Sequence, residues 1–248
     1  MFENARWFLY DSLGSTNTKA QELAAREAIP EGSVIMANFQ EQGKGQRGST
    51  WQSQFGENIL MSTVLYPVFL AATKLFCLSK AIALAVYDLA EEVGVNNVSI
   101  KWPNDIYAGN KKLAGILIEN TFRSTEIAMA VAGTGINVNQ VQFSNEVNNV
   151  TSLSLERGKK FDIELAAELL HKHISYWYEQ LKQGNLELID STYHQRLYRL
   201  NTKAPFRENG TEFIGIIKGV NQAGKLLIEN KTGQMLEFDL KEVEFVLT

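Results

Sequence analysis

Between Ala71 and Val93 the residues Leu75, Leu78, Ile82, Val86, Leu89 and Val93 recur at steps of three and four. That spacing predicts one long amphipathic helix, and a stripe of such length needs a broad apolar surface to cover it. The runs "GSVIMANF" (32–39), "NILMSTVLY" (58–66), "VSIKW", "LAGILIEN" and "IAMAVAGTGINVN" are rich in β-branched or apolar residues and read as strands. A second long helix is predicted from about Asp162 to Leu181, with Leu165, Leu169, Ile174, Trp177 and Leu181 available for burial. "STNTKAQELAAREA" reads as a helix capped by Ser15 or Thr16, with Ala20, Leu23 and Ala24 on one face. A shorter helix is expected over "LELIDSTYHQRLY". Strands and helices mix without strict alternation, so the class is α+β, a mixed sheet with helices packed on it.

After Leu200 the texture changes. "TEFIGIIKGV", "GKLLIEN", "QMLEFDL" and "VEFVLT" are short strands separated by the turns "NQAG" and "NKTG", the pattern of a compact β barrel or small sheet. A boundary near Asn201 divides the chain into residues 1–200 and 201–248.

The overall composition narrows the function. Of 248 residues, 45% are hydrophobic and 21% charged, an ordinary globular balance. No apolar run approaches the roughly 20 residues that span a bilayer, and "MFENARWFLYDS" lacks the pattern of a signal peptide. The single cysteine, Cys77, forms no internal disulfide. A cytoplasmic protein without a membrane partner is expected. The net charge of −4 lacks the basic excess of a nucleic-acid binder, and no helix-turn-helix pattern precedes the first motif.

Four islands stand out, and their order carries more than any one of them: "GSTN" (14–17), "GKGQRGSTW" (43–51), "KWPNDIYAGNKKLAGILIE" (101–119) and "GTGINVN" (133–139). In the second, glycines let backbone N–H groups approach an anion, and Lys44 and Arg47 add charge. The spacing is not that of a P-loop. A surface turn with incidental charge explains it equally well. In the third island "WPND" is explained by a β-turn. A turn leaves Lys101, Lys111 and Lys112 around Asp105 unexplained: a reversal at "AGN" returns Lys112 toward Lys101 and sets two ammonium groups beside a carboxylate. The alternative is a solvated hairpin face. The last island permits close approach of a ligand or of another backbone.

In this order and spacing the islands resemble the bacterial biotin–protein ligases, also called biotin–acetyl-CoA-carboxylase ligases. The resemblance covers nearly the whole chain, and "KWPND" followed by "KKLAGILIE" is its most specific part. It implies a catalytic domain of the class II aminoacyl-tRNA-synthetase type and a small C-terminal Src-homology-3-like barrel. It also implies a form without the N-terminal DNA-binding repressor domain. The implied reaction joins biotin to ATP, with Mg²⁺, as biotinyl-AMP. The biotinyl group then passes to one lysine of a biotin carboxyl carrier protein, the enzyme being a monomer or homodimer. A lipoate-type acyl-adenylate ligase is the nearest alternative.

Site residues follow from the same resemblance. Ser15, Thr16, Asn17, Gln40, Lys44, Gly45, Gln46, Lys112 and Gly115 are expected around biotin. Gly43, Arg47, Gly48, Trp51, Asn104 and Asn137 are expected around the nucleotide. Lys112, Arg47, Lys44, Asp105 and Lys101 are the candidate catalytic residues: the cations offset repulsion between carboxylate and α-phosphate, and Asp105 orients or deprotonates the acceptor lysine. No protein metal site is expected from His171, His173 or His194, since two of them face different directions on one helix. The family often has arginine where this chain has Gln46, and Lys44 replaces another arginine. Glutamine lacks the permanent charge and rigid fork, so weaker retention of biotinyl-AMP is expected.

Overall fold

The computed structural model describes residues 2–144 and 149–246, and of Arg47 the backbone alone. In chain order, its first part holds β1 (Trp7–Leu13), α1 (Thr16–Arg26), β2 (Val34–Gln40), β3 (Asn58–Leu65), α2 (Leu75–Glu92), β4 (Val98–Lys101) and β5 (Asp105–Ala108). Then come β6 (Lys111–Arg123), β7 (Glu126–Asn137), α3 (Leu153–Arg157), α4 (Ile163–Lys182) and α5 (Leu186–Gln195). The strands form one seven-stranded sheet ordered β1-β2-β3-β7-β6-β5-β4. Only the β1–β2 pair among them is parallel. A second sheet, five-stranded and antiparallel, holds β8 (Lys203–Glu208), β9 (Thr211–Val220), β10 (Leu226–Asn230), β11 (Met235–Phe238) and β12 (Glu244–Phe245).

The long stripe on α2 finds its cover as expected. Leu78, Ile82, Val86 and Leu89 are buried with Ile59, Met61, Ala132, Ile136, Ala114 and Ile116 from one face of the central strands, and α4 packs alongside. On α4 the buried side is Ala166, Ala167, Leu170, Ile174, Trp177 and Leu181. Leu165, expected in that face, is 55% exposed, because at about 100° per residue it falls off the stripe that Ala166, Ala167 and Leu170 share; its N–H bonds the capping Asp162 carboxylate. The opposite face of the sheet carries α1 in a small second cluster of Ala20, Ile35, Val64 and Val131.

The start of α1 differs from expectation. Ser15 occupies the capping position without a side-chain cap, and the amide of Thr16 donates instead to Gln40 Oε1 at 2.8 Å. Three strands have weak sequence signals: β1 is a partly exposed edge strand, β5 is four residues long, and β8 contains Pro205. The end of "VEFVLT", residues 247–248, lies outside the described residues.

The second sheet is packed onto the first part of the chain. Trp102 Nε1 donates to Gly224 O (2.9 Å), Arg199 Nη1 donates to Val246 O (3.1 Å), and Phe206, Ile217 and Leu226 join the main core. Lys80 on α2, 3% exposed, is ion-paired to Asp190 on α5, and its ammonium lies 5.5 Å and 5.3 Å from the ring centres of Phe76 and Tyr193. Asp190 is itself 53% exposed, so the two partners are unequal. Removing the carboxylate strands a buried cation; removing the cation frees a solvated anion. Asp190→Ala is therefore expected to cost about 3 kcal/mol and Lys80→Met much less, measured by urea denaturation. Equal losses would contradict this. Among the described residues no helix is long and apolar enough to cross a membrane.

Candidate active site

Strand alternation builds the floor of the site. On the face away from α2, β3, β7 and β6 present two cross-strand rows: Ser62–Gly133–Leu117 and Leu60–Gly135–Gly115. Side chains from elsewhere fill the space above the glycines. A Cβ at Gly133 would lie 2.4 Å from Asn17 Oδ1, and one at Gly135 would lie 2.6 Å from the Trp51 indole. One at Gly115 would meet the same ring at 2.9 Å. The glycines of the third and fourth islands thus admit residues of the first and second islands onto the sheet.

Over this floor lies a cavity of about 260 Å³. Its lining includes Ser15, Thr16, Asn17, Gln40, Lys44, Gly45, Gln46, Trp51, Asn104, Asp105, Lys112 and Gly115. A second cavity of about 220 Å³ shares Gln46, Asn104 and Ile116 with it and runs to Phe76 on α2, Ala223 in the β9–β10 turn and Leu240 after β11.

At one end the polar groups form a defined chain. Asn17 Nδ2 donates to Glu119 Oε2 (2.7 Å) and to Leu117 O (3.2 Å). Ser62 Oγ stands 2.6 Å from Asn17 Oδ1 and 2.7 Å from Thr16 Oγ1. Asn17 Oδ1 has no proton to give, so the single Ser62 proton goes to it. The Thr16 proton is then given within the protein, to Ser62 Oγ or to Gln40 Oε1 at 3.1 Å. Thr16 consequently offers lone pairs to a ligand. Gln40 Oε1 is occupied by the Thr16 amide, so its NH₂ remains for a ligand. This end combines acceptors from Thr16 and Asn17 with donors from Ser15 and Gln40.

At the other end Lys112 Nζ is 2.7 Å from Asp105 Oδ1 and 5.5 Å from the Trp51 ring centre. The "WPND" turn and the β5–β6 hairpin set this pair: Asn104 Nδ2 donates to Ile116 O (2.7 Å), and the Ile116 amide donates to Asn104 O (2.9 Å). The indole N–H of Trp51 is buried without a hydrogen-bond partner. A buried orphan donor on a cavity wall is costly unless a ligand satisfies it.

Several expected residues take other places. Lys101 does not line the cavity; its ammonium lies over Phe245 (4.7 Å) and Tyr107 (5.1 Å). Burial holds its pKa below the ordinary lysine value, against the opposing pull of Asp105. Asn137 also lies off the cavity, donating to Thr151 O at 2.9 Å to brace the end of β7. The glycine loop closes in part on itself as a small hairpin. Gly45 N donates to Ser49 O (2.7 Å), and Trp51 N donates to Gly43 O (2.9 Å). A Cβ at Gly43 would lie 2.4 Å from Trp51 O, so close packing explains that glycine. Gly43 and Gly48 face a neighbouring groove with Leu117 and Glu119. Lys44 donates to Thr18 Oγ1 at 2.9 Å. The expected role of the Arg47 side chain lies outside what is described. The histidines sit elsewhere: His171 against Gly32 O, His173 against Glu92 and His194 against Asp190.

Ser62, Leu117, Glu119, Gly133 and Lys241 reach the site region without having been singled out as site residues. Ser62 left a legible signal, as a fully buried hydroxyl in the middle of an apolar strand. Lys241 left none, since it arrives from the far end of the chain.

Residues 9–137 match the biotin/lipoate A/B protein ligase family. The chain is 30% identical over 230 residues to the biotin–[acetyl-CoA-carboxylase] ligase of Paracoccus denitrificans, covering 90% of this chain and 93% of that one. It is 32% identical over 228 residues to the bifunctional ligase/repressor BirA of Bacillus subtilis, covering 90% of this chain and 69% of that longer relative. Its fold matches the biotin protein ligase from Aquifex aeolicus in complex with biotin and ATP, with a TM-score of 0.82 at 24% identity, over 98% and 99% of the two chains. With the glycine floor, the Thr16–Asn17 chain and the Lys112–Asp105 pair in place, the protein belongs to the biotin/lipoate A/B protein ligase family, among its biotin–protein ligases.

Proposed function

We propose that this protein is an ATP-dependent biotin–protein ligase that forms biotinyl-AMP and then biotinylates a lysine of a biotin carboxyl carrier protein. The observation that carries the reading is the polarity of the Ser15–Thr16–Asn17–Gln40 end. A cyclic urea presents one carbonyl flanked by two N–H groups. Two acceptors and two donors around one end of a 260 Å³ cavity complement it. Such pairing matters because a buried polar edge left unpaired costs affinity. The dithiolane of lipoate has no such edge, and this end of the cavity is polar where a dithiolane needs an apolar channel.

The chemistry follows from the other end. A biotin carboxylate oxygen attacks the α-phosphorus of MgATP, and the bond to pyrophosphate breaks. Lys112 supplies the positive charge that lets the two anions meet, and it gives up its contact with Asp105 to do so. Asp105, then released beside the acyl carbon, accepts a proton from the incoming carrier ammonium. The neutral amine attacks, and AMP leaves. Trp51 offers its unpaired N–H to an acceptor on the adenylate. No protein nucleophile is required.

Incubation with biotin, MgATP and a biotin carboxyl carrier domain tests the reading. One biotinyl group added to the carrier, by mass, is the expected result. Addition of a lipoyl group instead, or of neither, would overturn it. In the same assay, Gln46→Arg is expected to slow release of biotinyl-AMP from the enzyme. Equal or faster release would refute the role given to that position.

A further inference from the structure

We infer that Glu119, on β6, is a positioning residue that fixes the hydrogen-bond polarity at the ureido end, and so sets discrimination between a cyclic urea and its isosteres. The inference rests on the biotin reading above. Both partners of Asn17 Nδ2, the Glu119 carboxylate at 2.7 Å and Leu117 O at 3.2 Å, are acceptors only. The amide orientation therefore follows from its partners. The carboxylate bond is the shorter and is charge-assisted, hence the stronger of the two restraints.

Asn17 is 3% exposed, so bulk water does little to compensate a wrongly turned amide. With both N–H bonds held, Oδ1 faces Ser62 and Gly133. This fixed terminus directs the Ser62 proton to Asn17 and leaves the Thr16 proton to Ser62 Oγ or Gln40 Oε1. Without the Glu119 acceptor one N–H loses its partner, and the two amide orientations come closer in energy. A turned Asn17 would present its NH₂ where Oδ1 now accepts, while Thr16 keeps Gln40 Oε1 at 3.1 Å for its own proton. The site would bind an inverted edge nearly as well as the correct one.

Glu119 stands far from the reacting carboxyl end. Four residues along β6 separate it from Gly115, roughly 13 Å at about 3.3 Å per residue. Its removal should change recognition without changing chemistry.

The test compares biotin with its cyclic carbonate isostere, in which ring oxygens replace the two ureido N–H groups and so exchange donors for acceptors, by calorimetric titration. Biotin-dependent ATP–pyrophosphate exchange runs alongside. For Glu119→Ala, biotin binding is expected to weaken about tenfold, the preference for biotin over the cyclic carbonate to narrow by a similar factor, and kcat at saturating biotin to stay within twofold. Glu119→Gln keeps an amide oxygen for the Asn17 N–H and is expected to restore most of the preference. Should the alanine variant fail to fold, Glu119→Asp withdraws the acceptor by one methylene and carries the same expectation. Unchanged binding of both acids, an equal loss for both, a parallel fall in kcat, or a glutamine variant no better than alanine would each overturn the inference. A wild-type protein that binds neither acid overturns the biotin reading itself, and the wild-type arm gives that result before any variant is compared.

Discussion

Replacing Lys112 with alanine is expected to lower biotin-dependent ATP–pyrophosphate exchange by about 10²–10³-fold, the effect of removing one preorganised charge from a transition state. Lys112 is half-buried on β6, and its nearest anion in the free protein is Asp105 at 2.7 Å. Two negatively charged reactants brought into that space need a counter-charge already in position, because a mobile cation would have to be ordered in the transition state. Biotin binding itself should weaken far less, since the ureido end lies on other strands and on α1. Loss of binding and exchange in equal measure would assign Lys112 to general affinity instead. The fold should survive: the Asp105 carboxylate is left beside a cavity open to ligand, so thermal melting should move little.

Gly133→Ala should produce the second large effect. The added methyl would sit 2.4 Å from Asn17 Oδ1 and 3.0 Å from its Cγ, well inside van der Waals contact, so Asn17 must leave its place. The Thr16–Ser62–Asn17 chain then loses its end, and biotin affinity is expected to fall about 10- to 100-fold with kcat at saturation nearly kept. Titration calorimetry and steady-state exchange measure the two quantities separately. A variant binding biotin as tightly as wild type would show that Asn17 has no part in recognition. Gly135→Ala should act differently, since its methyl meets the Trp51 indole and not the ureido end.

Much of this architecture was legible in the sequence because periodicity reports burial. The α2 stripe and the five apolar strand runs led to the mixed sheet, and the order of the four islands led to the family. What the sequence could not show was which neighbour each glycine admits. Gly43, Gly115, Gly133 and Gly135 accommodate Trp51 and Asn17, which come from sequence positions far from most of them. Part of the glycine loop is closed for a local reason: a hairpin folding on its own carbonyls satisfies the amides of Gly45 and Trp51. Lys101 shares a motif with Asp105 yet turns toward Phe245 of the second sheet, a partner well over a hundred residues away that no local pattern reveals. Glu119 reads as the polar end of an apolar run, and its meaning appears only when β6 is set against α1.

All of the functional reading depends on one cavity holding a cyclic urea at one end and a carboxyl-phosphate junction at the other. A crystal structure with a non-hydrolysable sulfamoyl analogue of biotinyl-AMP measures this directly. The expected complex places the ureido N–H groups within hydrogen-bond distance of Thr16 Oγ1 and Asn17 Oδ1, its carbonyl on Gln40, and Lys112 Nζ against the acyl-sulfamoyl linkage. An analogue bound with its rings toward Lys112, or lying outside the glycine floor altogether, would contradict it.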